Sequence, residues 1–171
     1  MERYKINDTV LYGFDGVCTV TDITKKTVCG KEYSYYVLKP VSTDRSTFFV
    51  PTENEKSVAK LKRVLSEKEI YQLIRSMPKG DTIWIDNENM RKERYKQIIA
   101  GNDRQQLVAL IRTLYFKKCE LEEKGKKLHK WDETYMKEAE KLLYEEFSLV
   151  LNLKKDDIVP FIINILETEK C

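Results

Sequence analysis

Hydrophobic and polar residues come in short alternating runs up to about residue 60 and recur at threes and fours from Leu65 onward. The chain therefore reads as strands followed by helices. Thr9-Val10-Leu11-Tyr12 is rich in β-forming residues and runs into Gly13-Phe14-Asp15-Gly16, a turn signal. From Val17 to Ile23, strand alternation predicts Val17, Thr19, Thr21 and Ile23 on one face and Cys18, Val20 and Asp22 on the other. Val28-Cys29-Gly30-Lys31-Glu32 predicts a hairpin turn. Tyr33 to Leu38 predicts a strand ended by Pro40, and Thr47 to Val50 another before Pro51. About five short strands at roughly 8–12-residue spacing predict a small barrel rather than an open sheet.

Helical signals then take over. Ser66-Glu67-Lys68-Glu69 is a capping box, followed by an apolar stripe of Ile70, Leu73, Ile74 and Met77 and a stop at Pro78-Lys79-Gly80. A second helix is predicted from Asn87 to Ala100, with Gly101 as its stop. Asp103 caps a third, with Leu107, Leu110, Ile111, Leu114 and Leu121 on one face, ending at Lys124-Gly125. Asp132 opens a fourth, and a short fifth spans Asp157 to Leu166. The predicted fold class is α+β in two domains. A small β-barrel over residues 1–60 precedes an all-α domain of about five helices over residues 61–171, joined within 52–65.

Composition narrows the class. With 42% hydrophobic residues and only 6 Gly and 4 Pro, the chain is neither disordered nor low in complexity. Its 35% charged fraction fits long surface helices. No apolar run is long enough to cross a bilayer: the one from Ile158 to Leu166 is short and carries Pro160 and Asn164. The N-terminus has no apolar core of a secretory signal. Cys18, Cys29, Cys119 and Cys171 form no Cys-x-x-Cys pair, so they are expected to be reduced thiols in a cytoplasm, three buried and Cys171 at a loose end. A single histidine gives no basis for a zinc site, and no cofactor is expected.

Net charge is only +3, but its distribution is uneven. Residues 62–130 hold 17 basic and 10 acidic side chains, whereas residues 131–171 hold 5 and 10. Arg91-Lys92-Glu93-Arg94-Tyr95-Lys96 packs four cations and a tyrosine into under two helical turns, and residues 112–130 add seven basic side chains against three acidic. Two readings stand: a solvated helix face, or a surface that follows a DNA backbone by phosphate contact, including Lys126, Lys127 and Lys130 of the loop. Nothing suggests sequence-specific readout. Trp84 also carries two readings. In the polar connector Gly80 to Asn87 it is either a plug for a helical core or a wedge that pries bases apart. Trp131 holds a hydrophobic-staple position and reads as structural.

Catalytic chemistry is not in view. His129 lies in a basic loop without a partner, and Gly13-Phe14-Asp15-Gly16 lacks the Lys-Ser/Thr of a phosphate-binding loop. The chain is expected not to be an enzyme.

Taken in order, several segments resemble the CarD/CdnL family of bacterial RNA polymerase-binding regulators, over about residues 3–153. They are Asn7-Asp8-Thr9-Val10-Leu11-Tyr12 with Gly16-Val17, Tyr35-Tyr36-Val37-Leu38-Lys39, and Phe49-Val50-Pro51. Arg94-Tyr95-Lys96 leading to Ala100-Gly101-Asn102, and Leu110-Ile111-Arg112-Thr113-Leu114, complete the set. The N-terminal part is also similar to the polymerase-binding module of transcription-repair coupling factors. The resemblance implies a Tudor-like, SH3-like barrel that docks on the polymerase β subunit, with Lys26, Phe48 and Phe49 at the positions of that contact. It also implies a helical domain that touches promoter DNA at the upstream edge of the bubble and changes the lifetime of the open complex. The implied DNA-contacting residues are Trp84, Arg91, Lys92, Arg94, Lys96, Lys126, Lys127 and Lys130. The family tryptophan sits a few residues before the Arg-Tyr-Lys segment, whereas Trp84 stands ten before Arg94, so residues 86–91 look like an insertion. Either Trp84 reaches the groove or Arg91 takes the wedge's place. The chain is expected to act as a monomer away from membranes. The competing reading is a protein–protein adaptor with no DNA contact.

Overall fold

The computed structural model describes residues 3–43 and 45–168, the side chain of Phe14 excepted. The chain divides into two compact units, Met1–Val64 and Leu65–Cys171.

The first unit is a five-stranded antiparallel sheet. Its strands are β1 (Thr9–Tyr12), β2 (Val17–Val28), β3 (Lys31–Pro40), β4 (Phe48–Pro51) and β5 (Leu61–Arg63), and a one-turn helix, α1 (Glu55–Val58), precedes β5. The strand order is β4-β3-β2-β1-β5. This order leaves β4 and β5 as edges, so the described sheet is not closed into the barrel that strand spacing predicted. The two end strands are only four and three residues long and offer few groups for a closing ladder. β5 itself lies beyond residue 60, where the sequence pattern placed the end of the sheet, and Leu61 pairs with Tyr12.

β2 and β3 form one long hairpin whose tip is Cys29-Gly30. Both tip residues have positive φ (+50° and +77°), which a two-residue type I′ turn requires. A register shift between Val20 and Asp22 breaks the simple alternation predicted for β2. Thr21 turns its hydroxyl to the Val37 carbonyl at 3.2 Å, and the phase changes there. Cys18, Val20 and Ile23 consequently face one core together, with Val10, Tyr36, Leu38, Val50 and Leu61. Of the cysteines expected to be buried only Cys18 is; Cys29 is exposed, Cys119 half-buried, and Cys171 lies outside the described residues.

The second unit is helical: α2 (Glu67–Ser76), α3 (Glu88–Gly101), α4 (Arg104–Glu123), α5 (Lys130–Leu151) and α6 (Lys155–Thr168). The Ser66–Glu69 capping box is present in both directions. Asp103 caps α4 through the Gln106 amide. α3 ends on Asn102 at φ +44°, not on Gly101, which stays in the helix. Two apolar layers share α4 and α5. One holds Ile70 and Ile74 of α2 against Phe147, Ile158 and Ile162, and the other holds Tyr95 and Ile98 of α3 against Leu107, Leu110, Leu114 and Leu142. Glu146, 1% exposed, fastens the start of this unit. Its carboxylate accepts the Leu65 amide at 2.7 Å and two Arg104 N–H groups at 2.8 and 3.1 Å. Among the described residues no helix is long and apolar enough to cross a membrane.

Candidate polymerase-docking face and nucleic-acid interface

In the first unit, alternation gives the outer side of β2, β3 and β4 a defined set of side chains. Phe49 pairs with Val37, Pro51 with Tyr35, and Lys26 with Tyr33, so these residues share one face, opposite the core. The Lys26 ammonium stands 3.4 Å from the Phe49 ring centroid, a cation–π contact on a phenyl ring that remains 45% exposed. Toward the hairpin tip the face opens into a groove of about 740 Å³ lined by Val28, Tyr33, Tyr35, Pro51 and the polar residues Glu53 to Lys56. β4 is an edge strand, so its outer backbone groups are free of a neighbouring strand in the described sheet.

In the second unit the connector between α2 and α3 is held down at several points. The Ile83 amide donates to the Thr113 hydroxyl of α4 at 2.9 Å. The Trp84 indole N–H donates to Asp86 at 2.9 Å, while the ring packs at the margin of the Tyr95 layer. Arg91, 7% exposed, points back under the connector. Its guanidinium donates to the carbonyls of Ile85 (2.8 Å) and Asp86 (3.2 Å) and pairs with Asp132 at 3.3 and 3.4 Å. It also stacks between two indoles, 4.2 Å from Trp84 and 4.9 Å from Trp131. Lys117 stands 4.8 Å from the Trp84 ring and Lys92 4.6 Å from the Trp131 ring. Burial pushes the Asp132 carboxyl up from its ordinary value, against the pull of the Arg91 guanidinium.

The CarD-like/TRCF RID domain family matches residues 4–65. Those residues are a CarD-like/TRCF RID domain. The protein is accordingly an RNA polymerase-interacting, transcription-related one. No curated protein matches the chain. The RID domain covers the whole described sheet, from Tyr4 of its core to Leu65, two residues past β5.

Within the RID domain Lys26 and Phe49 come together at the surface, but Phe48 does not join them. Phe48 turns inward, half-buried, with its ring 5.4 Å from Tyr12 and packed on the core. Tyr33, Tyr35 and Pro51 share the outer face and escaped the sequence reading, although Pro51 on an edge strand was the available signal. In the helical unit, Arg91 stands apart from the other cations of the expected phosphate-contacting set, its guanidinium buried and paired with Asp132. Lys92 is bonded to Glu88 at 2.6 Å, and this bond holds the Glu88 carboxyl below its usual range. Arg94 reaches Gln106 at 3.5 Å. Lys96, Lys126, Lys127 and Lys130 are exposed and carry no ion pair among the described residues. Lys117 and Lys124 instead pair with Glu120, as a solvated helix face does. His129 is exposed at the N-terminus of α5, and Asp132 is not the cap of that helix but lies buried in its first turn.

Tyr95 packs against Trp131 and Tyr135, and its hydroxyl has no hydrogen-bond partner among the described residues. Burial, with the Asp132 charge behind it, pushes its phenol up to about 12, and burial does the same for Tyr144. An unfolded tyrosine ionises near pH ~10. Above that value the unfolded chain holds fewer protons than the folded one, so stability is lost as pH rises from about 10 to 12. Thermal melts across that range should fall steeply. Tyr95→Phe should shallow the fall while changing the neutral-pH melt by less than about 1 kcal/mol, because no hydrogen bond is lost.

Proposed function

We propose that this protein is a non-enzymatic transcription regulator that binds the RNA polymerase β subunit through the RID domain and contacts promoter DNA through the helical unit, altering open-complex stability. The observation that carries the reading is the RID domain with its exposed Lys26–Phe49 pair beside the β4 edge. An edge strand offers backbone pairing for affinity, and flanking side chains supply selectivity. Support for DNA contact is chemical. Lys96, Lys126, Lys127 and Lys130 are free cations that suit phosphates, and Trp84 is a half-buried indole in a braced connector. Such contacts position a protein on a duplex without reading its sequence.

Titration of the full chain against a forked promoter duplex at several salt concentrations tests the DNA half. Changing Lys96, Lys126, Lys127 and Lys130 to Gln should lower affinity by roughly 100- to 1000-fold near physiological salt and reduce the salt slope by about one for each cation lost. An unchanged slope would return these lysines to a solvated surface and favour an adaptor that binds polymerase without DNA.

A further inference from the structure

Of the cations between residues 91 and 96, Arg91 alone is buried, and what it holds is the connector that carries Trp84. A planar guanidinium can serve a carboxylate along one edge and backbone carbonyls along another while its face lies on an aromatic ring; a lysine ammonium cannot do all three. Arg91 does all three, toward Asp132, toward Ile85 and Asp86, and toward Trp84. As a source of stability a buried ion pair is a poor choice, since apolar side chains of similar volume often serve as well or better. Its geometric content is high, because it ties the first turn of α5 to the two carbonyls that follow a single indole. The Thr113 hydroxyl fixes the other side of Trp84 through the Ile83 amide.

We infer that Arg91 and Asp132 are a positioning pair that sets the indole of Trp84 in the pose in which it meets DNA. The inference rests on the DNA-contact reading proposed above. Arg91 acts through Trp84 and not on phosphate, because its charge is balanced by Asp132. A wedge that must fill a partly unstacked base step loses affinity if it has first to be ordered, and bracing the indole in the free protein removes that cost.

The test uses the full chain labelled with 5-fluorotryptophan. Fluorine NMR gives one resonance for each of the two tryptophans, and Trp84→Phe assigns them. Two variants are compared with the parent. Arg91→Lys keeps the charge opposite Asp132 and hence the fold. Arg91→Met with Asp132→Leu removes both charges together. In both, a cooperative melt should persist while the Trp84 resonance sharpens and moves toward that of free 5-fluorotryptophan. Affinity for the forked duplex should fall roughly 3- to 10-fold, the range expected when one large side chain must be ordered on binding. An unmoved Trp84 resonance in both variants overturns the inference. So does a mobile Trp84 with undiminished DNA affinity when Trp84→Ala weakens binding. If Trp84→Ala itself leaves DNA affinity unchanged, the DNA-contact reading fails and the inference falls with it, whatever the resonance does.

Discussion

Replacing Asp132 by alanine is expected to destabilise the helical unit by about 3 kcal/mol, a loss on the order of 15 °C in melting temperature for a unit of this size. The physical reason is the charge left behind. Asp132 is 1% exposed and Arg91 is 7% exposed, so without the carboxylate a guanidinium remains buried. Removing one member of such a pair costs ~3–5 kcal/mol. The low end applies here because the carbonyls of Ile85 and Asp86 and the two indoles still attend the cation. Arg91→Met with Asp132→Leu should recover most of that loss, since no charge is stranded. Thermal melts of the two variants side by side check this. A single variant as stable as the parent would mean that Arg91 finds solvent when released.

Phe49→Ala is expected to weaken binding to RNA polymerase by about 2 kcal/mol, roughly 30-fold, with little change in the melt. Aromatic side chains that stand out of a surface supply much of an interface's energy when a partner covers them. Phe49 is 45% exposed on an edge strand, and the Lys26 ammonium already lies on its ring. The neighbouring Phe48→Ala should do the reverse, lowering the melting temperature, because that ring packs on Tyr12 and the RID core. Equilibrium titration of polymerase with the two variants separates the effects. Equal affinities for Phe49→Ala and the parent would move the docking contact off this face.

Local signals in the chain were reliable where physics is local. The Ser66–Glu69 box, the Asp103 cap and the Cys29-Gly30 hairpin tip each depend on a few adjacent residues, and each stands as spelled. The β2 face was misread because the shift at Thr21 is fixed by its partner strand, through the Val37 carbonyl, and alternation alone carries no trace of it. Sheet closure, likewise, depends on which end strands meet, and strand spacing does not contain that. In the candidate interface, Trp84 and the basic run were visible as residue types. The burial of Arg91 was not, since its partner Asp132 lies 41 residues away and looked like an ordinary helix cap. Lys117 was hidden for the same reason: its place over Trp84 follows from the docking of the connector on α4.

The most direct measurement for the account as a whole is amine-reactive cross-linking of the full chain to RNA polymerase, read by mass spectrometry. Lys26 and Lys31 lie on the outer face of the β2–β3 hairpin, Lys25 lies beside them on the other face, and all three are exposed. The account predicts cross-links from these lysines to the β subunit, retained when Lys96, Lys126, Lys127 and Lys130 are changed to Gln. Cross-links confined to lysines of the helical unit, or hairpin cross-links that land on another subunit, would contradict it.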